Sequence, residues 1–235
     1  MPGYTRRQLK EDKFAETAQD AAEWASEHSK LVIWTVGILI VVIVVIVGGW
    51  TWRSRQIEQG NIDLSAALRT LSAPLRPAGT PAGDMLSFTS IAERGQAAAK
   101  QLQATADKYS LVSPGKVARY LLGSAQLQAG NTAAAEQAFK TAADFSDKDI
   151  AALAKMALAS IYNGSNRQAD AIKIYKELSD HPTATVSKST AQLALADVYE
   201  KTDPQEATKI YQQVQKDDPH SQAAQVAAQK LIHPK

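Results

Sequence analysis

The side chains able to hold a metal or move a proton are few and scattered. Three of the four histidines lie beside proline at segment ends (His181-Pro182, Pro219-His220, His233-Pro234), and the fourth, His28, precedes an apolar run. None has a second histidine or a carboxylate at ligand spacing, so there is neither a zinc constellation nor an HExxH helix. The chain has no cysteine, which excludes disulfides, thiolate metal sites and a cysteine-linked lipid anchor. Gly164-Ser165 lacks the flanking glycines of a nucleophile elbow, and no glycine loop is spaced to cradle phosphate. Asp217-Asp218, ahead of Pro219, reads as a solvated helix end rather than an acid/base pair. The sequence therefore predicts no catalytic residues, no cofactor, no metal site and no small-molecule substrate. What remains is the chemistry of contact, with lipid and with other polypeptides.

Contact with lipid is written in Leu31 to Trp50, LVIWTVGILIVVIVVIVGGW, twenty residues without a charge. At about 1.5 Å per residue a helix of this length spans about 30 Å, the hydrocarbon thickness of a bilayer. Twelve of the twenty are Val or Ile, a β-forming composition. An isolated strand in lipid leaves its backbone unpaired, whereas a helix satisfies it internally, so helix is predicted. The fourteen Leu, Ile and Val residues favour insertion by about 4 kcal/mol. Trp34, Trp50 and Trp52 stand near the two ends, where an indole keeps its N–H at the wet interface. The long preceding segment and the poor Val47-Gly48-Gly49 cleavage site predict an uncleaved anchor, with the transmembrane helix at 31–52. Gly37, Gly48 and Gly49 do not form a small-xxx-small face, so no dimer through the span is predicted.

Residues 1–30 form a tail in which Leu9, Phe14, Ala18, Ala21, Trp24 and Ala25 keep roughly helical spacing, predicting a short amphipathic helix. Lys30 on one side of the span faces Arg53 and Arg55 on the other, a near tie under the positive-inside rule. A short tail is easily retained and a downstream domain can be translocated regardless of charge, so the tail is predicted to face the cytoplasm. From Thr51 onward 21 Lys and Arg stand against 18 Asp and Glu, dispersed, which excludes a nucleic-acid footprint. Residues 53–115 read as a helical linker region, interrupted at 72–84 by SAPLRPAGTPAGD, where three prolines and two glycines predict a loop. Helical spacing resumes from about Met85 to Tyr109 and stops before Ser113-Pro114-Gly115.

Beyond Lys116 the chain repeats itself. Leu122-Gly123, Ala135, Phe139 and Ala142 recur as Leu158-Ala159, Ala171, Tyr175 and Leu178, and again as Leu195-Ala196, Ala207, Tyr211 and Val214. The interval of 36 residues between the first two sets, the small residues and the aromatic four after the alanine resemble the tetratricopeptide repeat. Tyr162 and Tyr199 match that family's first-helix aromatic, and Pro182 and Pro219 lie at or near its terminal proline. A small residue at Gly123, Ala159 and Ala196 lets the first helix of each pair approach the second at Ala135, Ala171 and Ala207. Gly130 and Asn166 fall at turns that favour a left-handed backbone, and Asp203-Pro204 supplies a cap and a first helical residue. The expected fold is all-α: one transmembrane helix, then a repeat solenoid in units of about 116–149, 152–185 and 189–219, closed by a C-terminal capping helix.

The resemblance implies an inner wall built from first helices, with partner-binding positions Tyr120, Ser124 and Leu127, then Met156, Ser160 and Asn163, then Leu193, Asp197 and Glu200. That wall is mixed and slightly acidic at one end. It lacks the Lys and Asn clamp with which chaperone-binding members hold a terminal carboxylate. A protein partner, recognised as a helix or an extended segment, is the expectation. The layout of tail, single span and compact repeat domain resembles the bacterial ancillary subunit family of the Sec translocon. It implies an inner-membrane scaffold with a periplasmic repeat domain, linking the translocation channel to periplasmic chaperones or exported polypeptides. Two other roles fit the same residues: an envelope-assembly or cell-division coordinator binding cell-wall machinery, or, with the orientation reversed, a cytoplasm-facing adaptor.

Overall fold

The computed structural model describes residue 24, residues 28–81 and residues 83–232, so the expected amphipathic helix of the tail lies almost wholly outside the described residues. The chain forms two compact units, divided between Arg55 and Gln56.

The first unit carries the whole apolar run, in helix α1, Ser29–Leu71. The run is helical despite its Val and Ile content, and none of its most apolar stretch is buried. It is long and apolar enough to cross a membrane. Thr51 folds its hydroxyl back onto the Gly48 carbonyl at 2.9 Å, satisfying the donor within the helix.

The second unit begins with the last residues of α1 and continues as α2 (Ile91–Lys108), α3 (Ser113–Gln128), α4 (Thr132–Ala143), α5 (Lys148–Gly164), α6 (Gln168–Asp180), α7 (Lys188–Thr202), α8 (Pro204–Asp217) and α9 (Gln222–Ile232). From α2 onward each helix packs chiefly on those before and after it, the arrangement of a solenoid. The sequence from Gln56 to Lys108 holds a helix pair of its own. Ala67 of α1 shares a core with Ala98, Ala99, Leu102 and Ala106 of α2 and with Leu122 and Ala138 beyond them. Thr70 donates to Gln101 at 2.9 Å across this pair, and Tyr109 to Asp63 at 2.8 Å.

The Pro- and Gly-rich stretch is a loop with one isolated bridge, between Leu75 and Phe88. Arg76 N–H donates to the Phe88 carbonyl at 2.8 Å, and Phe88 N–H returns to Pro74 at 3.1 Å. This pairing holds the chain extended through Phe88, so α2 starts at Ile91 and not at Met85. Ser90 caps it, accepting from Glu93 N–H at 3.1 Å, while the Glu93 carboxylate reaches back to the Thr89 N–H at 2.7 Å.

In the repeats the small residues do what their spacing requires. A Cβ on Gly123 would stand 2.6 Å from the Phe139 ring, so the helix crossing depends on its absence. Ala135, Ala159, Ala171 and Ala196 have no exposed surface, and Phe139, Tyr175 and Tyr211 are buried beside them. Gly130 at φ +81° and Asn166 at φ +62° end α3 and α5 in the left-handed conformation. Asn131 N–H to Gln126 and Arg167 N–H to Tyr162, both 2.8 Å, close those helix ends. Asp203 caps α8 through Glu206 N–H at 3.2 Å, with Pro204 at the first position. Ala171→Leu is expected to overpack the central core by about 1–3 kcal/mol; an unchanged melting temperature would contradict this packing.

Candidate partner-binding surface

The nine wall positions fall on α3, α5 and α7 at helical spacing, and they divide by what they touch. Tyr120 is half-buried, its ring 5.7 Å from that of Phe139 at 54°, and burial pushes its hydroxyl up from the ordinary value. Met156 leans on the same core, and Leu193 on the cluster around Ala196 and Tyr211. Leu127 and Ser160 are exposed and Ser124 half-buried. Asn163 buries its Oδ1 without a partner among the described residues. These positions offer shape and apolar surface with few charges.

Asp197 and Glu200 are engaged from inside the fold. Tyr211 of α8 faces both carboxylates, at 3.0 and 2.9 Å, and Lys230 of α9 donates to the same pair at 2.8 and 3.0 Å. The capping helix thereby offsets one of the two charges at the acidic end of the wall, and its Ala227 and Leu231 pack on the core beneath. Lys230 carried no signal in the sequence beyond its place in a closing helix. Its partners lie about 30 residues away and are set by packing alone.

This cluster fixes a pH dependence. Burial first, then the Glu200 hydrogen bond and the Asp197 charge, push the Tyr211 hydroxyl up. The Asp197 hydrogen bond raises Lys230, and burial with the Asp197 charge pushes Tyr175 up to about 12. All three hold their protons more tightly folded than unfolded. The stability they contribute is complete below about pH 10 and is lost as pH rises through the folded values. The melting temperature of the full chain in detergent, followed by circular dichroism, should hold level from neutral pH to about pH 9.5 and fall above it. Tyr211→Phe should flatten that fall; an unchanged slope would remove Tyr211 from the account.

A cavity of about 570 Å³ lies among Phe145, Lys148, Lys155, Glu177, Leu178 and His181. Its Lys155 and Glu177 pair at 2.5 Å. Among the described residues no three His, Asp or Glu side chains converge as a metal site. A second cavity, of about 440 Å³, lies over α7 between α6 and α8, with Leu195, Tyr199 and Ile210 in its lining.

The helix pairs, the small-residue crossings and the left-handed turns agree with a comparison against protein families, in which the tetratricopeptide repeat-like domain covers residues 22–180. The chain belongs to the tetratricopeptide repeat-like domain family. A further tetratricopeptide repeat is matched at residues 190–221, over α7 and α8. No curated protein and no solved structure matches the chain. The tetratricopeptide match begins ahead of α1 and takes in α2, so the pair formed by Gln56–Leu71 and α2 lies inside the family's domain. Tetratricopeptide arrays are interaction modules for other proteins, and the surface described above is of that kind.

Proposed function

We propose that the protein is a single-pass, membrane-anchored interaction scaffold of a bacterial inner membrane, assisting secretion or periplasmic folding beside the Sec translocation channel. In this reading residues 31–52 cross the bilayer, the tail faces the cytoplasm and the repeats face the periplasm, where they hold periplasmic chaperones or exported polypeptides. The observation that carries it is a helical run of twenty uncharged residues, with none of its most apolar stretch buried, in the same chain as a repeat array built for protein contact. Apolar surface on that scale is not left in water, and lipid covers it without a partner chain. The sequence layout supports the placement beside the channel.

Affinity purification of the full chain from gently solubilised membranes, read by mass spectrometry, tests the role. Recovery of the translocation channel or periplasmic chaperones is the expected result. Recovery of cell-wall synthases would move the scaffold to envelope assembly, and recovery of cytosolic proteins alone would turn it into a cytoplasm-facing adaptor. Protease access in intact spheroplasts tests the orientation: the repeats should be digested and the tail protected.

A further inference from the structure

The groove between the second helices of neighbouring pairs is filled in one unit and open in the next. Between α4 and α6, over α5, Arg167 stands at the cap of α6 with its guanidinium carbon 3.8 Å from the centre of the Tyr162 ring. It donates to Glu136 of α4 at 3.0 Å and to Asp170 at 3.1 Å. Tyr162 is left only 6% exposed. One unit on, over α7, the corresponding ring is Tyr199, half-buried at the cavity of about 440 Å³. Lys176 stands 5.7 Å from its centre.

Each charged residue lining the open groove has a counterpart 36 residues earlier in the chain. Lys140 and Lys173 correspond to Lys176 and Lys209, and Asp144 and Asp170 to Asp180 and Glu206. The occupant differs: the cap position that holds Arg167 holds Asp203, and Glu136 gives way to Ile172. Replacing Arg by Asp and Glu by Ile leaves the open groove one unit more negative than the filled one. Among the described residues Glu206 is held by one exposed pair, with Lys209 at 2.9 Å, a weak competitor.

We propose that this groove takes an arginine side chain from a partner polypeptide, its guanidinium stacked on Tyr199 and paired with the Glu206 carboxylate. The chain's own Arg167 is the template for the stack: it covers Tyr162 while sharing Glu136 with Lys140, at 3.0 and 2.7 Å, and in the open groove, where Ile172 replaces Glu136, the carboxylate is Glu206, the counterpart of Asp170. Arginine is selected over lysine because a planar fork can stack on a ring and pair with a carboxylate at once. Leu195 and Ile210 beside the ring suit apolar residues flanking that arginine. The proposal rests on the scaffold reading, as a second contact surface of the repeat array.

The test uses the full chain in lipid nanodiscs, labelled with ¹³C in its tyrosine rings, and the peptide acetyl-Ala-Leu-Arg-Leu-Ala-amide. The expected result is a saturable shift of the Tyr199 signal, assigned by its loss in Tyr199→Ser. The peptide with lysine in place of arginine should bind roughly fivefold more weakly, and Glu206→Gln should weaken the arginine peptide by a similar factor of about five. Tyr199→Phe, which keeps the ring face, should retain binding, read from neighbouring tyrosines, and it decides the point if Tyr199→Ser does not fold. No shift at Tyr199, or equal binding of the lysine peptide, would overturn the proposal. Either outcome leaves the proteins recovered from membranes unaffected, so the scaffold reading stands or falls separately.

Discussion

Gly95→Ala is expected to lower the melting temperature of the repeat domain, although the same change usually strengthens a helix. Gly95 lies inside α2, where alanine would gain about 1 kcal/mol of helix propensity. A Cβ there would stand 2.6 Å from the Ala129 backbone nitrogen and 2.8 Å from the Ala125 carbonyl oxygen. Both are main-chain atoms at the end of α3, so no rotamer change relieves the contact and the helices themselves must separate. Overpacking of this kind costs about 1–3 kcal/mol, occasionally more. In a unit of this size each kcal/mol is about 2–4 °C. The comparison variant is Gly164→Ala. Gly164 closes α5 with nothing within 4 Å of its would-be Cβ, and its substitution should be neutral or stabilising by about 0.5 kcal/mol. Thermal melts of the two variants should therefore move apart. If Gly95→Ala melts at or above the parent, the close crossing of α2 and α3 is not what holds the first pair to the array.

The contrast between Gly95 and Gly123 also shows how far the fold can be read from the chain. Gly123 was legible because it sits in a set that recurs: Leu and a small residue, then Ala, then an aromatic four residues on. Each repetition testifies to the same helix crossing. Gly95 does the same work in α2 without that set around it. The pair formed by Gln56–Leu71 and α2 has Ala67, Ala98 and Leu102 at its core but no aromatic in register. Its two helices are joined by the long Pro- and Gly-rich loop in place of a tight turn, and that loop breaks the repeat interval. The wall positions follow from the resemblance to the family's repeat, which says where a side chain lies and not what it meets. Hence Asp197 and Glu200 are found paired to Lys230. That pairing depends on the angle at which α9 closes the array, and no local pattern encodes it. The covering of Tyr162 by Arg167, and its lack at Tyr199, becomes visible only when two units are superposed by their second helices.

The largest effect is expected in the first unit, from Val41→Arg combined with Val44→Arg. Both valines lie in the middle of the apolar run, each more than 60% exposed, and neither belongs to the cores of the second unit. Each arginine at the centre of a span costs about 2.5–3.5 kcal/mol on the insertion scale, and each lost valine removes about 0.3 kcal/mol more. Two such changes cost about 6 kcal/mol, against the roughly 4 kcal/mol by which the parent run favours insertion. The sign of the insertion free energy therefore reverses. The parent should stay in the membrane pellet through an alkaline carbonate wash, and the double arginine variant should pass to the supernatant or be degraded. A Val41→Leu, Val44→Leu control keeps the apolarity and should stay in the pellet. Release of the parent itself by carbonate would break the membrane reading at its base, because a helix held only by protein contacts is freed by that treatment. Retention of the arginine variant would show instead that the run is held by something other than its own apolarity.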